Sequence, residues 1–371
     1  MMKKLGDSGT LAIFAISIFV SAALLFMVQP MIAKMILPRM GGAAQVWAFC
    51  MVFFQSLLLI GYLYTWVFQR FVANLRTQLI VHVVVVGAAF ISLPLALKQI
   101  DAISVVDSPM LWLGTALGLT VGLPFFVTST TSPLLQAWFA RTGHPQSGDP
   151  YHLYAASNLG SMLSLLGYSL LLEPMAHLQT NSLIWTVGYG LFAALIGAII
   201  FLLWGMTSED GAQEQTSDGD AGDDGDSEGE GAGAPERAEI DRVFTPKLAL
   251  TWVMLGAIPS SMLIGATQYL TTDIASVPFL WIIPLVLYLI SFVFAFAKRQ
   301  VLSRSTWTQL AYLTAPITLL LAIMATGVVM LHLPAALVGL FLFAMTFHGR
   351  LVELRPRASE LTALLACWMV R

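Results

Sequence analysis

The polar side chains able to handle a solute are few and stand inside long apolar runs. Gln29 immediately precedes Pro30. Proline removes a backbone donor and frees a carbonyl one turn back, so a neighbouring amide can satisfy or present polar groups there. A kink held by an interhelical hydrogen bond is the simpler account, and a substrate ligand is the alternative. Gln268, and Gln55 between Phe54 and Ser56, pose the same choice. Lys34 lies near the end of its run, where the stem can carry the ammonium to the membrane interface or hold an anion. The most polar run contains His152, Ser157, Asn158 and Ser161, and Asn158 and Ser161, three apart, share a helical face. His152 could titrate near neutrality. Glu173 beside Pro174, and Asp273 after Thr271 and Thr272, would attract a cationic solute such as a polyamine. Ordinary solvated loop acids explain both equally well.

This is chemistry for holding a solute, with no outline of covalent catalysis. No nucleophile-base pair or metal cluster emerges, so the chain by itself does not read as an enzyme. Cys50 and Cys367 are the only cysteines, which excludes a disulfide framework and offers no zinc spacing. Gly114, Gly118 and Gly122 recur at four-residue spacing without the strand-turn-helix setting of a phosphate loop. They read as small residues that let membrane helices approach. No cofactor and no nucleic-acid partner is implied.

The elements that must position these residues are set by composition. Of 371 residues, 57% are hydrophobic and 11% charged, with a mean hydropathy of +0.79. Such a chain cannot cover itself with polar surface in water, where domains carry about 25% charged residues. A bilayer crossing needs about 20 mostly apolar residues. Runs of that kind lie at 11–32, 45–68, 79–97, 110–135, 151–172 and 182–204, then at 248–269, 277–297, 308–329 and 333–347. The expected fold is an all-α integral membrane protein with about ten transmembrane helices. The last run is short, and Pro124 and Pro133 interrupt the fourth.

Charge gives the orientation. Residues 207–241 hold 13 acids and one base, Arg237, a net −12; the remaining 17 bases and 8 acids leave the membrane body at +9. Starting inside, 15 of the 18 Lys and Arg fall on the cytoplasmic side and only Lys34, Arg39 and Lys98 outside, as the positive-inside bias requires. The N-terminus, acidic segment and C-terminus are therefore expected in the cytoplasm. The acidic segment, rich in Gly, Asp, Glu and Ser, cannot bury enough apolar surface to order itself and reads as a disordered linker. Asp223, Asp224 and Asp226 lack the spacing of a calcium loop.

The resulting domains are a six-helix membrane bundle (1–206), the linker (207–245), a four-helix second bundle (246–350) and a tail or truncated eleventh helix (351–371). Six helices, a linker and a second set form the layout of a transporter built from repeats. Ser21 and Gln29 in the first helix match Ser260 and Gln268 in the seventh at equal spacing, and both helices run the same way.

Several blocks carry a family resemblance: "LLFMVQPMIAKMILPRMGGAAQVW", "FFQSLLLIGYLY", "PYHLYAASNLGSMLSLLGYSLLLEP", "SSMLIGATQYLTTDIASVPFLWIIPLVLYLISFVFAF" and "FHGRLVELRPRASELT". Together they resemble the membrane portion of fused MFS/spermidine synthase proteins. The resemblance implies an MFS-like six-helix bundle with a partial second bundle, in a bacterial inner membrane. It also implies a following aminopropyltransferase-like domain, which these 371 residues do not contain, and the chain departs from the family's pattern after Thr362. Three roles follow: a transporter-like protein for a polyamine or other small solute, the membrane anchor of a separate synthase-like domain, or a scaffold whose acidic linker recruits basic partners. The loop "GYLYTWVFQRFVANLRTQ" lacks the Gly/Asp/Arg signature usual in major-facilitator transporters. The orientation is checked by a single cysteine at Gly222, expected to react with a membrane-impermeant maleimide only after the cytoplasmic face is opened. Labelling of intact cells would reverse the topology.

Overall fold

The computed structural model describes residues 2–41, 44–98, 100, 103–147, 152–214, 246–270, 278–297, 302–324 and 329–354. The expected linker beyond 214, the tail from 355 and Asp273 lie outside them. Every regular element among the described residues is a helix. In hydrocarbon no water is present to satisfy peptide groups, and a helix satisfies them within one segment.

The elements are α1 (Met2–Met40), α2 (Ala44–Phe71), α3 (Leu75–Ala88), α4 (Pro109–Leu117), α5 (Leu123–Phe139), α6 (His152–Gly167), α7 (Glu173–Met175), α8 (Leu178–Glu214), α9 (Pro246–Tyr269), α10 (Pro278–Phe296), α11 (Arg304–Met324) and α12 (Val329–Glu353). A 3-10 turn, Ala89–Ser92, extends α3; π turns at Gly118–Gly122 and Tyr168–Leu172 join α4 to α5 and α6 to α7. Among the described residues, eight helical stretches are long and apolar enough to cross a membrane, and α10 adds the shorter Ile282–Phe296.

Four boundaries differ from expectation, each for a local reason. The third helix ends at Ser92 and not Leu97, because Leu93 precedes Pro94 and is driven to extended backbone (φ −99, ψ 149). The Ser182 hydroxyl then donates to the Leu95 carbonyl at 2.5 Å, anchoring the irregular strip. The fourth run is not broken at Pro124; the preceding π turn takes up the proline's missing donor, and the helix continues through Pro133. The last helix runs to Glu353 and is full length. At α8 the helix continues through Glu214, eight residues into the segment assigned to the linker, since Glu, Ala and Gln sustain a helix already nucleated in the membrane. Of the three spaced glycines, Gly114 faces the Phe49 ring of α2, whereas Gly118 meets nothing nearby and opens the π turn.

The two sets share a packing plan. In the first, α5 lies against α1, α2 and α3; in the second, α12 lies against α9, α10 and α11. The fourth helical unit is the hub both times, and the first and second helices touch only lightly. In the first set α6 and α8 then cover α1. Ser164 donates to the Ala23 carbonyl at 2.5 Å, and Trp185 Nε1 donates to the Leu24 carbonyl at 2.9 Å. The α1–α6 approach is close enough that a Cβ on Gly160 would collide with the Phe19 carbonyl. The sets meet where α6 packs along α10. Gly160→Leu should separate α1 from α6 and cost about 1–3 kcal/mol, read as a lower thermal midpoint in detergent. Gly190→Ala on α8, where nothing lies within 4 Å, should leave the midpoint unchanged or raise it.

Candidate functional site

A polar and aromatic cluster inside the helices is built on α10. Tyr288, Ser291 and Phe292 fall three and four residues apart, so all three project from one side of the helix. They enclose His348 of α12, which is fully buried. Its imidazole lies on the Phe292 ring (centroids 3.7 Å, 21°) and meets Tyr288 edge-on (4.9 Å, 85°). Ser291 Oγ stands 2.8 Å from His348 Nδ1 and 2.6 Å from the Tyr288 carbonyl. A hydroxyl has one proton. When Ser291 donates it to that carbonyl, its Oγ must accept from His348 Nδ1–H, which selects the imidazole tautomer. The Tyr288 hydroxyl is 2.9 Å from Ser260 Oγ, tying α9 into the cluster.

The same cluster reaches the junction of the two sets. Tyr154 of α6 stacks on Phe296 of α10 (5.1 Å, 17°), and Tyr62 of α2 packs on the group that includes Tyr154, Trp252, Tyr288 and Phe292. Trp252 Nε1 donates to the Leu354 carbonyl at 2.9 Å, pinning the start of α9 to the end of α12. At the other end of α12, His332 Nδ1 lies 2.8 Å from the Tyr269 hydroxyl, beside a small cavity lined by Thr318, Leu321, Ala335 and Ala336.

The residues singled out in the sequence are distributed as follows. Asn158 and Ser161 are buried on α6, but each donates to its own helix: Asn158 Nδ2 to the Tyr154 carbonyl at 2.9 Å, and Ser161 Oγ to the Ser157 carbonyl at 3.0 Å. This back-bonding quiets a polar group in a helix. Lys34 and Glu173 come together, Nζ to Oε1 3.6 Å, with both side chains about 40% exposed. Beside them Asn181 is fully buried against the end of the π turn, its Nδ2 donating to the Leu172 carbonyl at 3.5 Å. Gln29 is half-buried on α1, and Gln55 on α2 and Gln268 on α9 are exposed. His152 opens α6, with its side chain outside the described set. None of these joins the His348 cluster except through Tyr154, the carbonyl partner of Asn158.

Two further polar groups were not anticipated. The run Thr128–Thr131 on α5 is buried, and its hydroxyls return to carbonyls three or four residues back. Ser21 of α1 donates to the Thr128 carbonyl at 2.9 Å and Thr65 of α2 to the Thr130 carbonyl at 3.5 Å, so three helices meet there. At the N-terminal end of α3, Trp138 Nε1 donates to Gln78 Oε1 at 2.8 Å, and Gln78 Nε2 donates to the Val72 carbonyl at 2.5 Å. Arg141 donates to Gln69 Oε1 at 2.9 Å, and burial lowers its pKa. Hydroxyl residues in succession at 128–132, and a histidine at the end of an apolar run at 348, were the signals available.

Chemically the junction offers hydroxyl, phenol, amide and imidazole groups, and among the described residues no carboxylate joins the contacts around His348. Among the described residues no three His, Cys, Asp or Glu side chains gather as metal ligands. No family model and no curated protein matches this chain. His348→Ala should open a hole beside Phe292 and cost about 2–4 kcal/mol in detergent-solubilised stability. Lys34→Met should change it by under about 1 kcal/mol, because the ion pair is half-exposed and solvent-screened.

Proposed function

We propose that the chain is a ten-span membrane protein of transporter-like, MFS-like architecture that binds a small solute between its two sets of helices. The observation that carries this reading is the polar and aromatic cluster around His348 at the junction of α6 with α10. Repeat-built transporters hold their substrate at the repeat interface. The available groups suit hydrogen bonding to a neutral or zwitterionic solute. A polyamine fits less well: Glu173 already faces Lys34, and a polycation would have to displace that ammonium.

The resemblance of the sequence blocks to fused MFS/spermidine synthase proteins favours a second reading, a membrane anchor for a separate aminopropyltransferase-like domain. Purified chain in proteoliposomes separates the two. The transport reading expects saturable uptake of radiolabelled amino acids, reduced about tenfold or more by Ser291→Ala, a change that removes one hydrogen-bonding group worth ~1.4 kcal/mol, with no saturable uptake of spermidine. Absence of saturable flux for all solutes, with tight binding of a separately expressed synthase-like domain, would favour the anchor.

A further inference from the structure

Near the C-terminal end of α1 the helices gather a polar group that the His348 cluster does not use: Lys34, Tyr168, Glu173 and Asn181. The π turn Tyr168–Leu172 is what aligns it. In an α-helix, positions five apart diverge by about 140°. Here the Glu173 N–H donates to the Tyr168 carbonyl, the five-residue bond of a π turn. The wider turn carries the Tyr168 and Glu173 side chains toward one side of the helix. Glu173 lies two residues from the end of the span Leu153–Met175, and Asn181 three residues into the span Leu178–Gly205. The group therefore stands at a membrane boundary, within reach of water.

Its exposed members are charged and its buried members are neutral. Lys34 Nζ is 3.6 Å from Glu173 Oε1, with the side chains 40% and 44% exposed. A charge-assisted hydrogen bond is shorter, about 2.7–2.9 Å, so each charge keeps room for a second partner. Tyr168 is 1% exposed and Asn181 is fully buried. The phenol lies beside the Asn181 amide and within electrostatic reach of Glu173. Even so, neither the Tyr168 hydroxyl nor Asn181 Oδ1 completes a hydrogen bond among the described residues, although buried polar atoms are nearly always paired. Asn181 Nδ2 is already spent on the Leu172 carbonyl. What stays available is a set of acceptors, namely Glu173, Asn181 Oδ1 and the Tyr168 oxygen, with the Lys34 ammonium at its edge.

We infer that this group binds a zwitterion carrying an ammonium and a carboxylate on one carbon, the class of the α-amino acids. The ligand's ammonium donates to Glu173, Asn181 Oδ1 and the Tyr168 oxygen, and its carboxylate meets Lys34. One loose ion pair is exchanged for two, and the charge of the site stays balanced. A simple cation would face Lys34 unscreened, and a simple anion would face Glu173 and leave the buried acceptors unmatched. The site is separate from the His348 cluster and stands without the transport reading.

The test is a titration of the purified full chain in detergent with each common L-α-amino acid, and with ethylamine and propionate as single-charge probes. The thermal midpoint is the readout. At least one amino acid should raise it saturably, as a ligand of the folded state must, and neither single-charge probe should do so at the same concentration. For that amino acid, Glu173→Gln, Lys34→Met and Tyr168→Phe should each weaken the apparent affinity about tenfold, the scale of one hydrogen bond to a charged group. Tyr168→Phe keeps the ring, so its ligand-free midpoint should stay level or rise. No shift with any amino acid, equal binding of ethylamine or propionate, or unchanged affinity in Glu173→Gln and Tyr168→Phe overturns the inference. So does a Tyr168→Phe chain that loses ligand-free stability but keeps its affinity, since Tyr168 and Asn181 would then serve only each other. Binding is read without a gradient, so a chain that fails to transport still reports on this site, and one that transports without this binding refutes this inference alone.

Discussion

Everything in this molecule follows from the cost of leaving a polar group unsatisfied where no water can reach it. The backbone meets that constraint by staying helical through proline after proline: Pro30, Pro133, Pro259, Pro284, Pro316 and Pro334 all lie inside helices. Hydroxyl side chains meet it by returning their protons to carbonyls one turn back, as Thr65, Thr115, Thr131, Thr186 and Thr251 do. What remains for joining helices is a small number of indole, phenol and hydroxyl donors aimed across the gaps. Trp185 to Leu24, Tyr189 to Val86 and Trp252 to Leu354 are three such cross-links, each from a side chain whose ring also fills space.

The same constraint gives the polar clusters their meaning. A polar side chain that bonds its own helix has its donor spent there, and two of the sequence's conspicuous polar residues are of this kind. They are Asn158, through its amide, and Ser161, through its hydroxyl. His348 differs because its partners come from another helix, and its ring orientation is held by stacking as well as by Ser291. A solute entering beside it would meet groups already fixed in direction, which lowers the ordering cost of binding. The Lys34–Glu173 pair belongs to a different class. Half-exposed, it fastens the end of α1 to the residue that follows the π turn after α6 without supplying a naked charge.

Much of the fold was legible because apolar runs of membrane length are hard to mistake, and each expected run coincides with a helix or a pair of helices joined by a π turn. Boundaries were legible only where a residue forces them: Pro94 ends α3 through its effect on Leu93, a rule that was available, whereas the π turn that lets the chain continue into Pro124 depends on local hydrogen bonding that spacing does not reveal. The matched Ser21 and Ser260 pointed to related halves, and the hub roles of α5 and α12 give that hint a physical form. The site was less legible. Polar type and depth identified Asn158 and Ser161, but type cannot tell whether a donor is spent on its own helix. His348 follows directly on the expected run 333–347 and stands two residues before Arg350, where a histidine reads as a boundary residue; only the packing of α10 on α12 encloses it.

The central claim is that two similarly packed sets of helices close on each other along α6 and α10. Disulfide cross-linking of Tyr154→Cys with Phe296→Cys, in membranes and on the chain with Cys50 and Cys367 replaced by Ala, tests it most directly. The ring stack at 5.1 Å predicts rapid cross-linking that Leu171→Cys paired with Phe296→Cys, at the far end of the α6 unit, does not show. Equal or slower reaction of the Tyr154–Phe296 pair would contradict the arrangement.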